Sequence, residues 1–413
     1  MAQVVSLEIE SIAAGGDGVG RSNGLVVFVP RTAPGDLVTV RIAGKGSFAR
    51  GSLRSVARPS PDRTDPPCPH YTSDRCGGCQ IQHLSYPAQL RAKQRIIRDA
   101  IERIGKRQIA EPEIRPSPLE WRYRTKLTLA LRRTTTGQWI AGLHQYDDPS
   151  RIFALADCPI TDQRVVEVWH RILAISAFLP TSQALGGSVR ITADGPVFTL
   201  IGAMRFSRSG DLFAALPDLA AIWWENDEGA RRLLHDRRPS RGASGPGGSF
   251  GQINTPVAKE LRDYVVERVS SHSPLTVVDA YSGTGDTAVA LAERGAKVTA
   301  IELDADAAHY CASRLPEGST SLRARVEEAL PGLLPADVVL LNPPRAGVDS
   351  AVTDTLEQSS PRPRSLVYVS CNPATLARDL SRLPGYSIQS VAAFDMFPQT
   401  AHVETVCELV PAA

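Results

Sequence analysis

The residues best able to do chemistry in this chain are its seven cysteines and a few carboxylates at the ends of apolar runs. Four of the cysteines suit a metal centre: Cys68, then Cys76-Gly77-Gly78-Cys79, and a distant Cys158 in Asp157-Cys158-Pro159-Ile160. Four thiolates make a complete ligand set, and zinc and a [4Fe–4S] cluster both accept one, so the spacing leaves the metal open. It does not follow the C-x3-C-x2-C order of radical enzymes, which argues against radical chemistry. A fifth cysteine, Cys371, ends the apolar run of Tyr368-Val369-Ser370-Cys371-Asn372-Pro373. A thiolate there would stand at the ligand crevice of an α/β sheet and could act as a nucleophile. Taken alone, the same position more commonly holds a small buried side chain. Cys311 and Cys407 belong to no motif and read as core.

A second set of residues suits a nucleotide-like cofactor. Val277-Val278-Asp279-Ala280-Tyr281-Ser282-Gly283-Thr284-Gly285 reads as a buried strand ending in a glycine-rich turn, followed by a helix over 287–294. The next strand ends at Glu302, where a carboxylate can accept two hydrogen bonds from ribose hydroxyls. Asp279 and Tyr281 are also explained by strand-end packing. The glycine spacing by itself admits NAD, because Ala288 in place of a third glycine is tolerated. Asn342-Pro343-Pro344-Arg345 closes a further apolar run. Such a turn also serves enzymes that methylate exocyclic amines, but there an aromatic residue follows, and here Arg345 does. Arg345 fits a salt bridge and a hold on a target nucleotide equally well.

The elements that must position these residues fall into three parts. Residues 1–58 show short alternating apolar runs (5–9, 26–29, 37–42, 53–56) between glycine-rich turns, the pattern of a small β-barrel. Residues 59–245 begin with a proline-rich linker and the cysteine loop. A helix is expected over 86–107, strands over 126–131, 189–192 and 197–201, a helix over 165–178, and a flexible Arg/Gly/Pro/Ser stretch over 237–249. Residues 246–413 alternate strands (275–280, 297–302, 337–341, 366–370, 387–394, 403–410) with helices, the mark of a Rossmann-like, doubly wound α/β domain. The expected fold is therefore multidomain: a barrel, an α+β central domain with the cysteine cluster, and a C-terminal α/β domain.

Charge agrees with a division of labour. The net charge is only +2, yet residues 1–135 hold 22 Lys and Arg against 12 Asp and Glu. A basic N-terminal third points to a polyanion held by one part of the molecule, although a solvated arginine-rich face would look the same. No apolar run is long enough to span a membrane. The start, MAQVVSLEIE, lacks the basic-then-apolar order of an export signal. The expectation is a monomeric, cytoplasmic protein without a membrane partner.

Several phrases resemble one known family. IAAGGDGVGR followed by GLVVFVPRTAPGDLVTVRI is similar to the TRAM domain, a small OB-like RNA-binding barrel. D-A-Y-S-G-T-G, I-E-L-D and L-N-P-P-R resemble a class I methyltransferase. S-C-N-P-A-T-L-A-R-D-L resembles the nucleophile motif of the RNA uracil-C5-methyltransferases. His402-Val403-Glu404-Thr405-Val406 is similar to their base motif, and Phe250-Gly251-Gln252-Ile253-Asn254 to their F-x-Q-x-N cofactor segment. CGGCQIQHLSYPAQLRAKQ resembles the iron–sulfur segment of the 23S ribosomal RNA branch.

The resemblance covers essentially the whole chain, and it implies the following. Cys371 adds to carbon 6 of a uracil, carbon 5 takes the methyl group of S-adenosyl-L-methionine, and Glu404 removes the carbon-5 proton. Gln252, Tyr281, Gly283, Glu302 and Asn342 contact the cofactor. Cys68, Cys76, Cys79 and Cys158 hold a [4Fe–4S] cluster in a structural or RNA-orienting role. The RNA is 23S rRNA, with tRNA as the alternative. Three departures stand out: Asn342 where the family usually has Asp, Gly251 where a bulky apolar residue is usual, and a longer gap after Cys68. Asn342 motivates a competing reading, a non-catalytic RNA-binding assembly factor.

Overall fold

The structure, a computed structural model, describes residues 3–43, 46–238 and 252–412. Most of the expected connection over 237–249, together with Phe250 and Gly251, lies outside the described residues. Among the described residues the strands form a closed barrel and two open sheets.

In the barrel the strands follow the neighbour order Gln3–Ile12, Gly18–Ser22, Leu25–Val29, Phe48–Arg58 and Leu37–Ala43, and the last pairs back onto the first. Period-2 alternation builds it: Leu7, Ile9, Val27, Val29, Val38 and Val40 point inward and are buried. Closure leaves no unpaired strand edge.

The central sheet has the order Arg231–Asp236, Ala221–Glu225, Gly195–Ile201, Ala184–Thr192, Lys126–Arg133 and Trp139–Gly142. The helix Gln163–Ala174 covers one face, because Val165, Trp169 and Ile172 recur at helical spacing and are buried. Trp169 meets Phe198 edge to face at 5.8 Å and donates its indole N–H to the Leu127 carbonyl.

The large sheet has the order Thr320–Arg323, Lys297–Glu302, Thr276–Ala280, Val338–Leu341, Ser365–Ser370, Glu404–Pro411, Tyr386–Phe394 and Glu113–Arg115. From Thr320–Arg323 to Ser365–Ser370 the pairing is parallel, and Glu404–Pro411 runs antiparallel to both its neighbours. Val338–Leu341 and Ser365–Ser370 are buried at every residue, as strands covered by helices on both faces must be.

One helix joins the parts. Along Tyr86–Arg103, Ala88, Ala92 and Ile96 pack with Ile12 and Ala33 of the barrel and with Ile81 and Leu84 of the cysteine loop. Ile97 and Ile101 instead join Leu376, Ala377 and Leu380 on the large sheet's helix Pro373–Ser381. The two faces of this helix thus fix the barrel and cysteine loop against the α/β sheet.

Candidate active site

Strand register brings Cys371 and Glu404 together. Ser370 pairs with Thr405 across adjoining antiparallel strands, so the next residue outward on each strand, Cys371 and Glu404, stands beside the other. Both line a cleft of approximately 1690 Å³ at the ends of the parallel strands. The turn that presents Cys371 is fixed by its neighbours. Ser370 Oγ donates to the Asn372 carbonyl and accepts from the Asn372 amide. The Asn372 side chain accepts from the Ala374 amide, capping a helix that begins with Pro373. Asn372 Nδ2 also reaches the Arg345 carbonyl at 3.3 Å, which ties the N-P-P-R turn to the turn that carries Cys371.

Burial sets the electrostatics of this pair. Glu404 is 5% exposed, and burial pushes its carboxyl up to about 7 against the opposing pull of Arg345. The half-buried Cys371 thiol is raised first by burial and then by the charge of Glu404. Arg345 opposes both effects, through its charge and through a hydrogen bond to the sulfur. The structure sets Arg345 beside the thiol, a placement that neither sequence reading names. A thiol, a carboxyl titrating near neutrality and one cation therefore occupy the same corner.

The glycine-rich turn lies further along the same cleft. Glu302 accepts the Gly283 amide on one oxygen and the Asp304 amide on the other, each at 2.8 Å. Gly285 needs to be glycine: its φ is +81°, and a Cβ there would come within 2.2 Å of Cys311 Sγ. A Cβ on Gly283 would meet nothing within 4 Å, so this backbone faces open cleft. Tyr281 holds φ +63° and Asn342 donates its amide to the Ala280 carbonyl. Gln252, Tyr281, Gly283, Glu302 and Asn342 all line the cleft.

Two buried acceptors here have no partner: Gln252 Oε1 and Asp279 Oδ2. An unpartnered buried acceptor is costly, so each points to a donor supplied from outside the protein. Asp279 is pushed up to about 7 by burial and by the charge of Glu302. Sequence reasoning commits Asp279 to no site; its signal was a carboxylate placed inside the apolar strand Thr276–Ala280.

The four remaining site cysteines line the same cleft. Cys68, Cys76, Cys79 and Cys158 are all buried, and none forms a disulfide. As their side chains stand, no three His, Cys, Asp or Glu among the described residues converge closely enough to grip a metal ion. Their surroundings nevertheless suit thiolates. The Gly78 amide donates to Cys76, and the His70, Tyr71 and Ile160 amides and the Gln82 side chain lie where they favour the thiolates of Cys68, Cys79 and Cys158. Burial raises all four thiols, with Cys76 pushed up to about 11, and each is raised further by a neighbouring negative charge, in three of the four a fellow cysteine's. Buried sulfurs that feel one another are of the ligand type that an iron–sulfur cluster or zinc takes, although their side chains do not converge on one point.

The C-terminal domain thus has the fold of a methyltransferase, with its reactive groups at the carboxyl ends of the parallel strands. Comparison with known proteins carries this further. The TRAM domain model matches residues 2–53, and the tRNA (uracil-5-)-methyltransferase model matches residues 333–410. An uncharacterized RNA methyltransferase of Thermosynechococcus vestitus is 32% identical, over 98% of this chain and 97% of its own length. One from Synechocystis is 33% identical over 97% and 94%. The solved Pyrococcus abyssi tRNA (uracil-54, C5)-methyltransferase, crystallised with S-adenosyl-L-homocysteine, superposes with a TM-score of 0.73 at 24% identity, over 99% of this chain and 100% of its own. The chain belongs to the RNA uracil-C5-methyltransferase family and is an RNA methyltransferase with an N-terminal TRAM domain. Among the described residues, no helix is long and apolar enough to cross a membrane.

Proposed function

We propose that this enzyme transfers a methyl group from S-adenosyl-L-methionine to carbon 5 of a uridine in 23S rRNA, through a covalent adduct of Cys371 with carbon 6. The observation that carries the reading is the placement of Cys371, Glu404 and Arg345 in one corner of the cleft. Carbon 5 of uracil is a poor nucleophile. Addition of the Cys371 thiolate at carbon 6 makes the ring an enolate, whose carbon 5 can attack a methyl sulfonium. Glu404 then takes the carbon-5 proton and the sulfur leaves.

The pair is suited to carrying a single negative charge between them. The charge of Glu404 raises the Cys371 thiol, while Arg345 favours the anionic form of either group. Attack uses the thiolate with Glu404 neutral. Once sulfur is bonded to carbon its charge is gone, and Arg345 favours the carboxylate that must accept the proton.

The residues at the glycine-rich turn fit the cofactor. S-adenosyl-L-methionine supplies the methyl group when bound; Glu302 would hold its ribose hydroxyls, Asp279 and Gln252 would receive its donors, and Tyr281, Gly283 and Asn342 would complete the wall. The neutral Asn342 supplies a hydrogen bond where the family usually has a charge. Cys68, Cys76, Cys79 and Cys158 would hold a [4Fe–4S] cluster, which methyl transfer does not require for electrons and whose role is structural or RNA-orienting. The target base must leave its stack or come from a loop to reach Cys371. The chain works as a monomer in the cytoplasm, with domains at 1–58, 59–245 and 246–413.

A second reading keeps the chemistry and changes the RNA. It rests on the full-length superposition on an enzyme whose name specifies uracil 54 of tRNA. Mapping 5-methyluridine in ribosomal and transfer RNA, with and without the gene, separates the two. A protein-RNA adduct with 5-fluorouridine RNA is expected from the wild type and absent from Cys371→Ala. RNA binding with no adduct and no methyl incorporation would instead favour an assembly factor.

A further inference from the structure

The loop that delivers Glu404 is held by parts of the chain far from it in sequence. Tyr386–Phe394 and Glu404–Pro411 form a hairpin whose last paired residues are Phe394 and Glu404, so residues 395–403 close it directly beside the base. Lys93, fully buried in the helix Tyr86–Arg103, donates to Asp395 Oδ1 at 2.5 Å and to the Phe397 carbonyl at 3.0 Å. Gln89, one turn earlier, exchanges two hydrogen bonds with Gln399, at 2.8 and 2.9 Å. On the other side, Gln80 accepts from the Ala401 amide and the Ile81 amide donates to the Gln399 carbonyl; both residues directly follow Cys79. The Tyr123 hydroxyl donates to the Pro398 carbonyl, and Asn254 Nδ2 to the Met396 carbonyl.

Ordinary packing does not ask for this. A short hairpin loop can satisfy its backbone with water at the surface. Here Asp395, Gln399 and Thr400 are buried, and a lysine is taken fully out of water to meet them. Burying such a pair gains little stability over an apolar contact of the same volume, so its use lies in fixing one arrangement. What it fixes is specific: Phe397 lines the cleft, and Glu404 is the first residue of the strand that follows.

We propose that Lys93 and Gln89, seconded by Gln80 and Ile81 of the cysteine loop, are positioning residues that set Glu404 for removal of the carbon-5 proton. This rests on the methyl-transfer reading above. Cys371 is held independently, by Ser370, Asn372 and the N-P-P-R turn. The clamp therefore governs the second half of the reaction and leaves the first half alone. It also gives the cysteine loop a task at the reacting centre, because Cys79 is adjacent in sequence to two of the contacts.

The test separates adduct formation from adduct release, using full-length protein and RNA from a strain lacking the gene. In Lys93→Met, the adduct with 5-fluorouridine RNA should form within about twofold of wild type. Release from ordinary RNA should slow by on the order of tenfold to a hundredfold, the cost of a small misplacement, so that a detergent-resistant methylated adduct accumulates as in Glu404→Gln. Gln89→Ala, which leaves no charge buried, should give the same pattern more weakly and serves if Lys93→Met fails to fold. Release at the wild-type rate in a folded variant, or formation and release falling together, would overturn the proposal and leave methyl transfer standing. No adduct from the unaltered protein would overturn the methyl-transfer reading itself.

Discussion

Five cysteines line one cleft, and their surroundings treat sulfur in opposite ways. Cys371 is half-buried, with the Arg345 guanidinium favouring its thiolate. Cys68, Cys76, Cys79 and Cys158 are buried, with amide and side-chain donors around them. A nucleophile needs access, a nearby cation and freedom to leave carbon again. Ligand sulfurs need protection from solvent and donors that favour the thiolate once a metal arrives. The same side chain is made reactive or inert by what surrounds it.

The sharpest way to break this comparison is to remove the lone sulfur. Cys371→Ala should lower methyl incorporation by on the order of a thousandfold or more, because no other group can make the adduct. Folding, RNA binding and any cluster absorbance should stay as in the wild type. Residual methylation near the wild-type rate would mean that the lone cysteine is not the nucleophile.

Glu404→Gln comes next. It should cut turnover by about a hundredfold to ten-thousandfold while adduct still forms. In the wild type, release should rise with pH through about 7 as Glu404 ionises and level off above it; the variant should lose that rise. Stability gives an independent check with a defined sign. The folded pKa of about 7 lies above the ordinary 4.5, so the acid form stabilises the fold. That contribution is full below about 4.5 and is lost as pH climbs through about 7. Glu404→Gln should therefore be more stable than wild type above pH 7, by on the order of 3 kcal/mol and read as a higher melting temperature, with the gap closing toward pH 4.5.

Among the four buried cysteines, Cys79→Ser keeps the volume and removes a soft donor. Purified without oxygen, the wild type should show brown iron–sulfur absorbance and the variant should lose it, with a lower melting temperature. Methyl transfer should fall by about tenfold, through a looser loop beside Gln80 and Ile81, an effect well short of that of Cys371→Ala. A colourless wild type that contains zinc would leave the ligand set standing and change the metal.

How much of this was legible in the sequence depends on whether the signal was local. Lys297–Glu302 is found where the alternation places it, and the other strands of the large sheet that bear the site lie within a residue or so of expectation, because each is a dense apolar run between turns. The strand Gly18–Ser22 was missed: Gly-Val-Gly-Arg-Ser offers no apolar alternation, and its strand form comes from neighbours in the barrel. Arg231–Asp236 was missed for a similar reason, being mostly polar and half-exposed, whereas Ala221–Glu225 was missed although Ala-Ile-Trp-Trp is an apolar run. Glu113–Arg115 is three residues long and exists only because Tyr386–Phe394 offers it an edge. At the site, Cys371 and Glu404 stood in motifs, whereas Lys93 lay in an ordinary basic helix. Its partner Asp395 is 302 residues away, and no periodicity announces a contact of that span.

The smallest expected effect completes the comparison, because Cys311 offers a third use of sulfur. It is fully buried in the helix Ala305–Arg314, beneath the glycine-rich turn and close enough to Gly285 that a single added carbon would collide with it. Burial raises its thiol. Nothing about it invites reaction or metal, so its contribution is volume. Cys311→Ala should cost about 1 kcal/mol of stability, the loss of one buried atom plus a small cavity, read as a melting shift of a few degrees. Adduct formation, adduct release and metal absorbance should be unchanged. Loss of methyl transfer in a variant that still melts near the wild-type temperature would show that the turn at Gly283–Gly285 depends on this sulfur for more than packing, and the division of the cysteines by environment would then fail.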